Sequence, residues 1–124
     1  MVQEGKDRHE EIMSLDFSLS IRIDTGGDAP YDVWLYDGNF THNVVNMWEQ
    51  AGVYNALYMS DDKEASTILD SLTHGVFEMK THPSEFTKMN PSNGWGTYPQ
   101  ALAFLKEVLE AVKSHPKAII HVSK

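Results

Sequence analysis

The last third of the chain carries the pattern that most limits its fold, a long amphipathic helix with a defined start and stop. Thr97 followed by Gln100 has the spacing of a capping box, and His115-Pro116 marks the stop. Between them, apolar side chains recur three and four residues apart, namely Tyr98, Leu102, Leu105, Val108, Leu109 and Val112. Because such a stripe must be buried, we expect the rest of the chain to pack against this helix.

Strand patterns lie at the two ends of the chain. Residues 15–24 alternate strictly between apolar and polar side chains, which predicts a strand with one buried and one wet face. Its apolar set is Leu15, Phe17, Leu19, Ile21 and Ile23. Turn residues at 25–30 and a β-branched, aromatic run at 31–36 predict a hairpin whose second strand is covered on both faces and ends at 37–39. Residues 118–122 predict a closing strand that pairs with this hairpin.

Helical patterns fill the middle of the chain. They run over 42–58 with a break at Gly52, and Pro83 begins a further short helix. Asp61 and Glu64 have capping-box spacing at the start of another helix. The sequence therefore predicts an α+β fold, in which an N-terminal β-hairpin plus a C-terminal strand form a small antiparallel sheet packed against about four helices.

Composition excludes several classes of protein. The chain has 124 residues and no Cys, so disulfides, thiol catalysis and Cys-ligated zinc are excluded. The formal net charge is −8, which disfavours nucleic acid as a partner and suits a basic protein surface or a cation. No apolar run approaches the roughly 20 residues that span a bilayer, so a soluble, cytoplasmic protein without a membrane partner is expected. By length, residues 13–124 are expected to form one domain, and residues 1–12 a polar tail or extension.

The loop from Asn90 to Tyr98, together with Thr41-His42-Asn43, is the predicted site. The loop offers exposed backbone N–H groups, amide and hydroxyl groups and an indole ring in front of a helix N-terminus, and Thr41 is a predicted N-cap. The candidate ligand- or partner-binding residues are His42, Asn43, Ser92, Asn93, Gly94, Trp95 and Tyr98. A purely structural interpretation stays open, in which Asn-Pro and Asn-Gly form turns and Trp95 fills the core.

Other patterns typical of catalytic sites have simpler explanations. Asp24-Thr25-Gly26 matches the triplet of aspartic proteases, but the helical remainder of the chain does not suit that class, and a turn explains it equally well. Six His lack the spacing of a zinc-binding helix, which leaves only a site assembled in space, for example from His42, His74 and a carboxylate. No catalytic residue, cofactor or metal site is therefore predicted.

A second aromatic group lies outside the loop. It consists of Trp34, Tyr36, Tyr54 and Tyr58, most of which are expected in the core because large aromatic side chains dominate burial. Trp34 and Tyr36 are two residues apart, so in a regular strand they share one face. A homo-oligomer contact through that face is the alternative to burial.

Several segments resemble a group of small, largely uncharacterised proteins encoded by bacteriophages and some bacteria. They are IDTGGDAPY, FTHN, AGVYNALY and NPSNGWGTYPQALAFL, and the resemblance, carried by THN and NPSNGWG elements, covers residues 13–124. This chain has Val112 where the family has Cys, so no thiol acts there. The resemblance implies a phage accessory protein in the cytoplasm of a bacterial host cell and transfers no catalytic residue.

Three functional hypotheses follow. The first is a non-enzymatic, phage-type accessory protein that binds a host or defence-related protein or a small ligand through the 90–98 loop. The second is a small hydrolase or nucleotide-processing enzyme that uses His42 and nearby carboxylates. The third is an acidic mimic of nucleic acid, suggested by the acids at Asp28, Asp32, Asp37, Glu49, Asp61, Asp62 and Glu64.

Overall fold

A three-stranded antiparallel sheet joins the two ends of residues 14–124, which are the residues described by the structure, a computed structural model. The first strand, β1 (Ser14–Ile23), lies in the centre between β2 (Tyr31–Thr41) and β3 (Ile119–Ser123). Both neighbours run antiparallel to β1. The predicted hairpin, closing strand and α+β fold are thus confirmed. The expected tail at 1–12 and residue 13 lie outside the described residues.

The helices lie between β2 and β3 in sequence and pack together on one face of the sheet. Their bounds are α1 (Val45–Ala51), α2 (Tyr54–Tyr58), α3 (Leu69–Thr81), α4 (Pro83–Thr87) and α5 (Tyr98–Ser114). Short 3-10 helices precede α1 and α3, at His42–Val44 and Ala65–Ile68. The bounds of α5 follow the predicted capping pattern. Within residues 14–124, no helix has both the length and the apolar character needed to cross a membrane.

The core forms where α5 and α3 meet the central strand. Leu15, Phe17 and Leu19 of β1 are fully buried, as the alternation predicts. The buried face of α5 consists of Ala101, Phe104, Leu105, Val108, Leu109 and Val112. Burial of each large apolar side chain contributes about 1.5–3 kcal/mol, so this helix–sheet contact is a major source of stability. The stripe predicted for α5 is correct from Leu105 to Val112, whereas Tyr98 and Leu102 are only half-buried.

A bulge in the hairpin coincides with the end of the predicted burial pattern of β1. Leu19 pairs with Tyr36 but Ser20 pairs with Trp34, so Leu35 is an extra residue in β2. Beyond the bulge the predicted burial is wrong, because Ile21 is 37% exposed whereas Ser20, on the face turned away from the helices, is fully buried.

The prediction that β2 is covered on both faces is wrong, because β2 is an edge strand of the described sheet and Trp34 is 57% exposed. Trp34 and Tyr36 also do not share a face. Each residue lies on the same face as its partner across the strands, so the bulge turns Trp34 to the side of Ser20 and Tyr36 to the side of Leu19. Tyr36 Oη accordingly donates to Glu107 Oε1 of α5 at 2.6 Å.

The strand β2 also continues through the turn formers at 37–39, which were predicted to end it. Asn39 Nδ2 donates to Asp16 Oδ1 of β1 at 2.6 Å, so its amide strengthens the pairing of the two strands. Gly38 is buried beneath the Tyr36 ring, and a Cβ at this position would overlap that ring. Turn propensity is therefore overridden by side-chain contacts within the hairpin.

The predicted capping box of Asp61 and Glu64 does not form. Asp61 Oδ1 instead accepts the backbone N–H of Val122 in β3 at 2.7 Å. The N–H of Asp62 donates to Ile120 O at 2.8 Å, so the segment before α3 pairs with the outer edge of β3. Because Asp61 is engaged by β3, the helix begins later, after the 3-10 turn, at Leu69.

Candidate partner-binding site

The 90–98 loop is closed at its base by side-chain contacts. Asn90 Oδ1 accepts the backbone N–H of Tyr98, the first residue of α5, at 2.7 Å. Gln100 Oε1 accepts the N–H of Thr97 at 3.1 Å, which is the Gln half of the predicted capping box. The Tyr98 hydroxyl donates to Met79 O of α3 at 2.5 Å. The base of the loop is therefore fixed to two helices.

The loop lies directly against the end of β2. Gly96 is buried with φ +84°, and a Cβ at this position would lie 2.6 Å from Thr41 Cγ2 and 2.9 Å from Val44 Cγ1. Thr41 Oγ1 accepts the N–H of Asn43 at 3.2 Å, which confirms Thr41 as an N-cap. The two segments predicted to form one surface are therefore neighbours, and a glycine makes their close approach sterically feasible.

The tip of the loop is exposed. Ser92, Asn93 and Gly94 face solvent, and Trp95 is 60% exposed. The backbone N–H of Trp95 donates to Asn93 Oδ1 at 2.9 Å. The structural interpretation in which Trp95 fills the core is wrong. The other part of that interpretation is correct, because Asn93 accepts a hydrogen bond within the loop. More than half of a large apolar ring at the tip is therefore in contact with water.

His42 is bonded to a phenol. Its Nδ1 lies 2.6 Å from Tyr58 Oη, and Tyr54 stacks on Tyr58 with ring centroids 4.7 Å apart. Burial lowers the pKa of His42 below its ordinary value of 6.5. Burial, and then the neighbouring Tyr54, raise the pKa of the Tyr58 phenol. Tyr58 therefore keeps its proton, and a hydrogen bond joins its phenol to Nδ1 of a neutral His42.

This geometry affects the catalytic hypotheses. The ring contact of His42 is with a phenol, whereas the hydrolase hypothesis pairs His42 with a carboxylate. Asp24 Oδ1 accepts the N–H of Gly26 at 2.9 Å, which is the turn geometry that the simpler explanation requires. Within residues 14–124, the side chains of His42 and Asp24 thus contact a phenol and a turn amide.

A group of side chains that the sequence patterns do not single out lies on the other side of the sheet. Ser20 and His121 are hydrogen-bonded, with Oγ 2.6 Å from Nε2, and Trp34 contacts the imidazole. Potential metal-ligating atoms of Asp61, Asp62 and His121 all lie within 4.8 Å of one another. Neither His42 nor His74 belongs to this group. The feature of the sequence that points to this group is the position of His121 in the predicted closing strand, because strand pairing brings residues that are distant in sequence together.

The predicted site residues thus divide into two kinds. Asn43, Ser92, Asn93, Gly94 and Trp95 present exposed groups, whereas His42 and Tyr98 are half-buried and hold the neighbouring elements in place. Comparisons of this chain with protein-family models, with curated proteins and with solved structures found no match. The arrangement of these side chains is consequently the basis for assigning a role to this surface.

Proposed function

We propose that this chain is a non-enzymatic binding protein that contacts a partner protein through the tip of the 90–98 loop and the adjacent Asn43. The observation that carries this proposal is the 60% exposure of Trp95 on a loop whose base is fixed by Asn90 and Gly96. Exposure of a Trp ring to water is unfavourable, and neither folding nor loop closure accounts for it. Contact with a partner removes that exposed surface from water.

The shape and chemistry of the tip suit a protein better than a small molecule. Small ligands bind in concave sites that bury most of their surface, whereas Ser92, Asn93, Gly94 and Trp95 all face solvent. A Trp ring has few rotatable bonds, so fixing it in an interface costs little entropy, and Trp is enriched among the residues that dominate binding energy. The Asn93 amide and the Ser92 hydroxyl supply the polar rim that such a residue requires.

Charge and resemblance indicate the kind of partner. The net charge of −8 accelerates association with a basic protein surface and disfavours phosphate backbones. The resemblance to phage-encoded proteins favours a host or defence-related protein in a bacterial cell. A phage accessory protein that binds a host or defence-related protein is the role that best explains both the exposed Trp95 and the acidic chain.

Trp34 offers a matched control for the test. It is the same residue type at nearly the same exposure, 57% against 60%, but it lies on the sheet and contacts His121. Wild type, Trp95→Ala and Trp34→Ala proteins are used as baits in bacterial lysate, and a protein retained by wild type is then purified and titrated against each variant. We expect Trp95→Ala to weaken binding by about 30-fold or more, as loss of a 2 kcal/mol hot spot requires, and Trp34→Ala to bind like wild type.

The same titration distinguishes the alternatives. Retention of full affinity by a folded Trp95→Ala protein would contradict the proposal, as would loss of affinity in Trp34→Ala alone. A partner whose affinity falls steeply with salt through the acidic residues, with Trp95 inert, would favour nucleic-acid mimicry. Native mass spectrometry of the purified chain tests the small-ligand alternative, since a bound molecule that Trp95→Ala releases would redirect the proposal from a protein to that ligand.

A further inference from the structure

The outer face of the sheet, turned away from the helices, carries a group of polar side chains around His121. Within β1 and β3 the pairing is regular, and Ser18 lies opposite His121, so His121 shares the face of Ser18 and Ser20. Ser20 is fully buried, and its Oγ lies 2.6 Å from His121 Nε2. On the other side of β3, residues 61 and 62 pair with its outer edge, which brings both carboxylates near the imidazole.

These three side chains form a mixed donor set. One imidazole nitrogen and one oxygen from each carboxylate lie within 4.8 Å of one another. At bond lengths of about 2.0–2.2 Å, two ligand atoms of one tetrahedral ion are about 3.4 Å apart. Asp61 and Asp62 are both exposed, so rotation of these side chains can bring the set to bonding distance.

Hydrogen bonds to Ser20 and to the backbone of Val122 hold His121 and Asp61, two of the three proposed ligands, in position. If Nε2–H of His121 donates to Ser20 Oγ, the lone pair of Nδ1 is left for an ion, which is the usual arrangement for a ligating His. Asp61 Oδ1 accepts the N–H of Val122 at 2.7 Å, and its second oxygen is available. Oriented ligands lose less entropy when an ion binds.

We propose that Asp61, Asp62 and His121 bind a divalent transition metal ion such as Zn²⁺, which accepts both imidazole and carboxylate ligands and is held more tightly than Mn²⁺. The nitrogen donor selects against Mg²⁺ and Ca²⁺, which prefer ligand sets made of oxygen alone. Two neighbouring carboxylates repel one another, and a cation between them converts this repulsion into attraction. Since both carboxylates are exposed, further coordination positions face water.

The test is calorimetric titration of the full chain with Zn²⁺, Mn²⁺, Mg²⁺ and Ca²⁺ in separate experiments. We expect one Zn²⁺ to bind more tightly than Mn²⁺, and Mg²⁺ and Ca²⁺ to bind weakly. His121→Ala and Asp62→Asn are expected to weaken Zn²⁺ binding by more than tenfold, and Ser20→Ala by about tenfold, the lower limit for loss of a group that orients a ligand.

His82 supplies the matched control. Its ring nitrogens lie 3.8 Å from Glu78 Oε1 and 3.5 Å from Glu85 Oε2, so it also combines a His with two acids, but on exposed helix termini. His82→Ala should leave the tight Zn²⁺ site unchanged. Circular dichroism verifies that each variant is folded, and the visible absorption of bound Co²⁺ should disappear in His121→Ala.

Two results would overturn the metal site. One is Zn²⁺ affinity that is the same in wild type, folded Asp62→Asn and folded His121→Ala. The other is tight binding of Ca²⁺ with no preference for Zn²⁺. The metal site shares no residue with the proposed partner surface, so Trp95→Ala should bind Zn²⁺ like wild type. Failure of the metal-binding test would therefore leave the partner-binding proposal standing, and the reverse also holds.

Discussion

Gly75 of α3 lies so close to Val53 that a methyl group at Gly75 would overlap Cγ1 of the Val53 side chain. The same methyl group would meet Leu105 Cδ2 at 3.4 Å, in the contact between α3 and α5. Because Val53 is fully buried and its side chain is branched at Cβ, it has little room to move. The close approach of Val53 to α3 thus depends on a residue without a side chain.

We expect Gly75→Ala to lower the free energy of unfolding by about 1–3 kcal/mol through overpacking, even though Ala favours helices by about 1 kcal/mol. Urea denaturation measures the change. Gly27→Ala is the control, because a Cβ at Gly27 meets only Thr25 Oγ1, at an ordinary 3.6 Å, and should alter stability by less than about 0.5 kcal/mol. An increase in stability for Gly75→Ala would contradict overpacking, because it would show that Val53 moves away from the added methyl group without loss of packing energy.

Two glycines in the 90–98 loop separate backbone strain from steric contact. Gly94 and Gly96 both have positive φ, 77° and 84°, but a Cβ at Gly94 meets open space whereas one at Gly96 meets Thr41 and Val44. Gly94→Ala should cost about 1 kcal/mol and leave the chemical shifts of Thr41 and His42 unchanged. Gly96→Ala should cost more and push the loop away from Thr41, visible as new chemical shifts at Thr41 and His42. Equal effects of the two substitutions would contradict the packing of the loop on β2.

The burial of His42 predicts acid sensitivity. Because the pKa of His42 is lowered in the folded chain, the unfolded chain binds more protons below about pH 6.5. The stability that depends on neutral His42 is therefore complete above that pH and is lost as the pH falls through the lowered folded-state pKa. His42→Gln should reduce the decline in Tm between about pH 8 and pH 5. An unchanged pH profile in His42→Gln would count against this assignment.

Trp48 carries an unpaired polar group in the core. Its side chain is fully buried beside Phe40 and Phe104, and within residues 14–124 its Nε1 has no hydrogen-bond partner. Leaving such an N–H unpaired costs about 1–3 kcal/mol, which offsets part of the gain from burying the larger ring. Trp48→Phe should therefore change stability by less than about 1.5 kcal/mol, and Trp48→Ala should cost about 3–5 kcal/mol. Similar losses in both variants would indicate that Nε1 is bonded in solution.

Elements whose signal is local were predictable from the sequence. The bounds of α5 follow from Thr97, Gln100 and His115, and the buried half of β1 follows from its period of two. The errors arose where tertiary contacts decide between local options. Asp61 has the spacing of a helix cap but bonds to Val122, which is distant in sequence. A bulge likewise leaves no trace in the alternation of a single strand.

The candidate site shows the same division. The composition of the 90–98 loop predicts a site there, and the Asn90–Tyr98 hydrogen bond and the position of Gly96 explain why the loop is held beside Thr41. No spacing rule connects Ser20 with His121, because their contact requires β1 and β3 to be neighbours. Sites built from adjacent strands become visible only after the strand order is known.

The bulge at Leu35 identifies where β2 tolerates a change in length. The strand pairing does not depend on Leu35. Leu19 pairs with Tyr36 on one side of the bulge and Ser20 pairs with Trp34 on the other, and both pairs remain if Leu35 is removed. A chain one residue shorter at this position would therefore keep Trp34 beside His121 and Tyr36 beside Glu107. Removal of a residue anywhere else in β2 would exchange the two faces on one side of the gap. An alignment gap at Leu35 thus signifies a change in strand twist, not a change in topology.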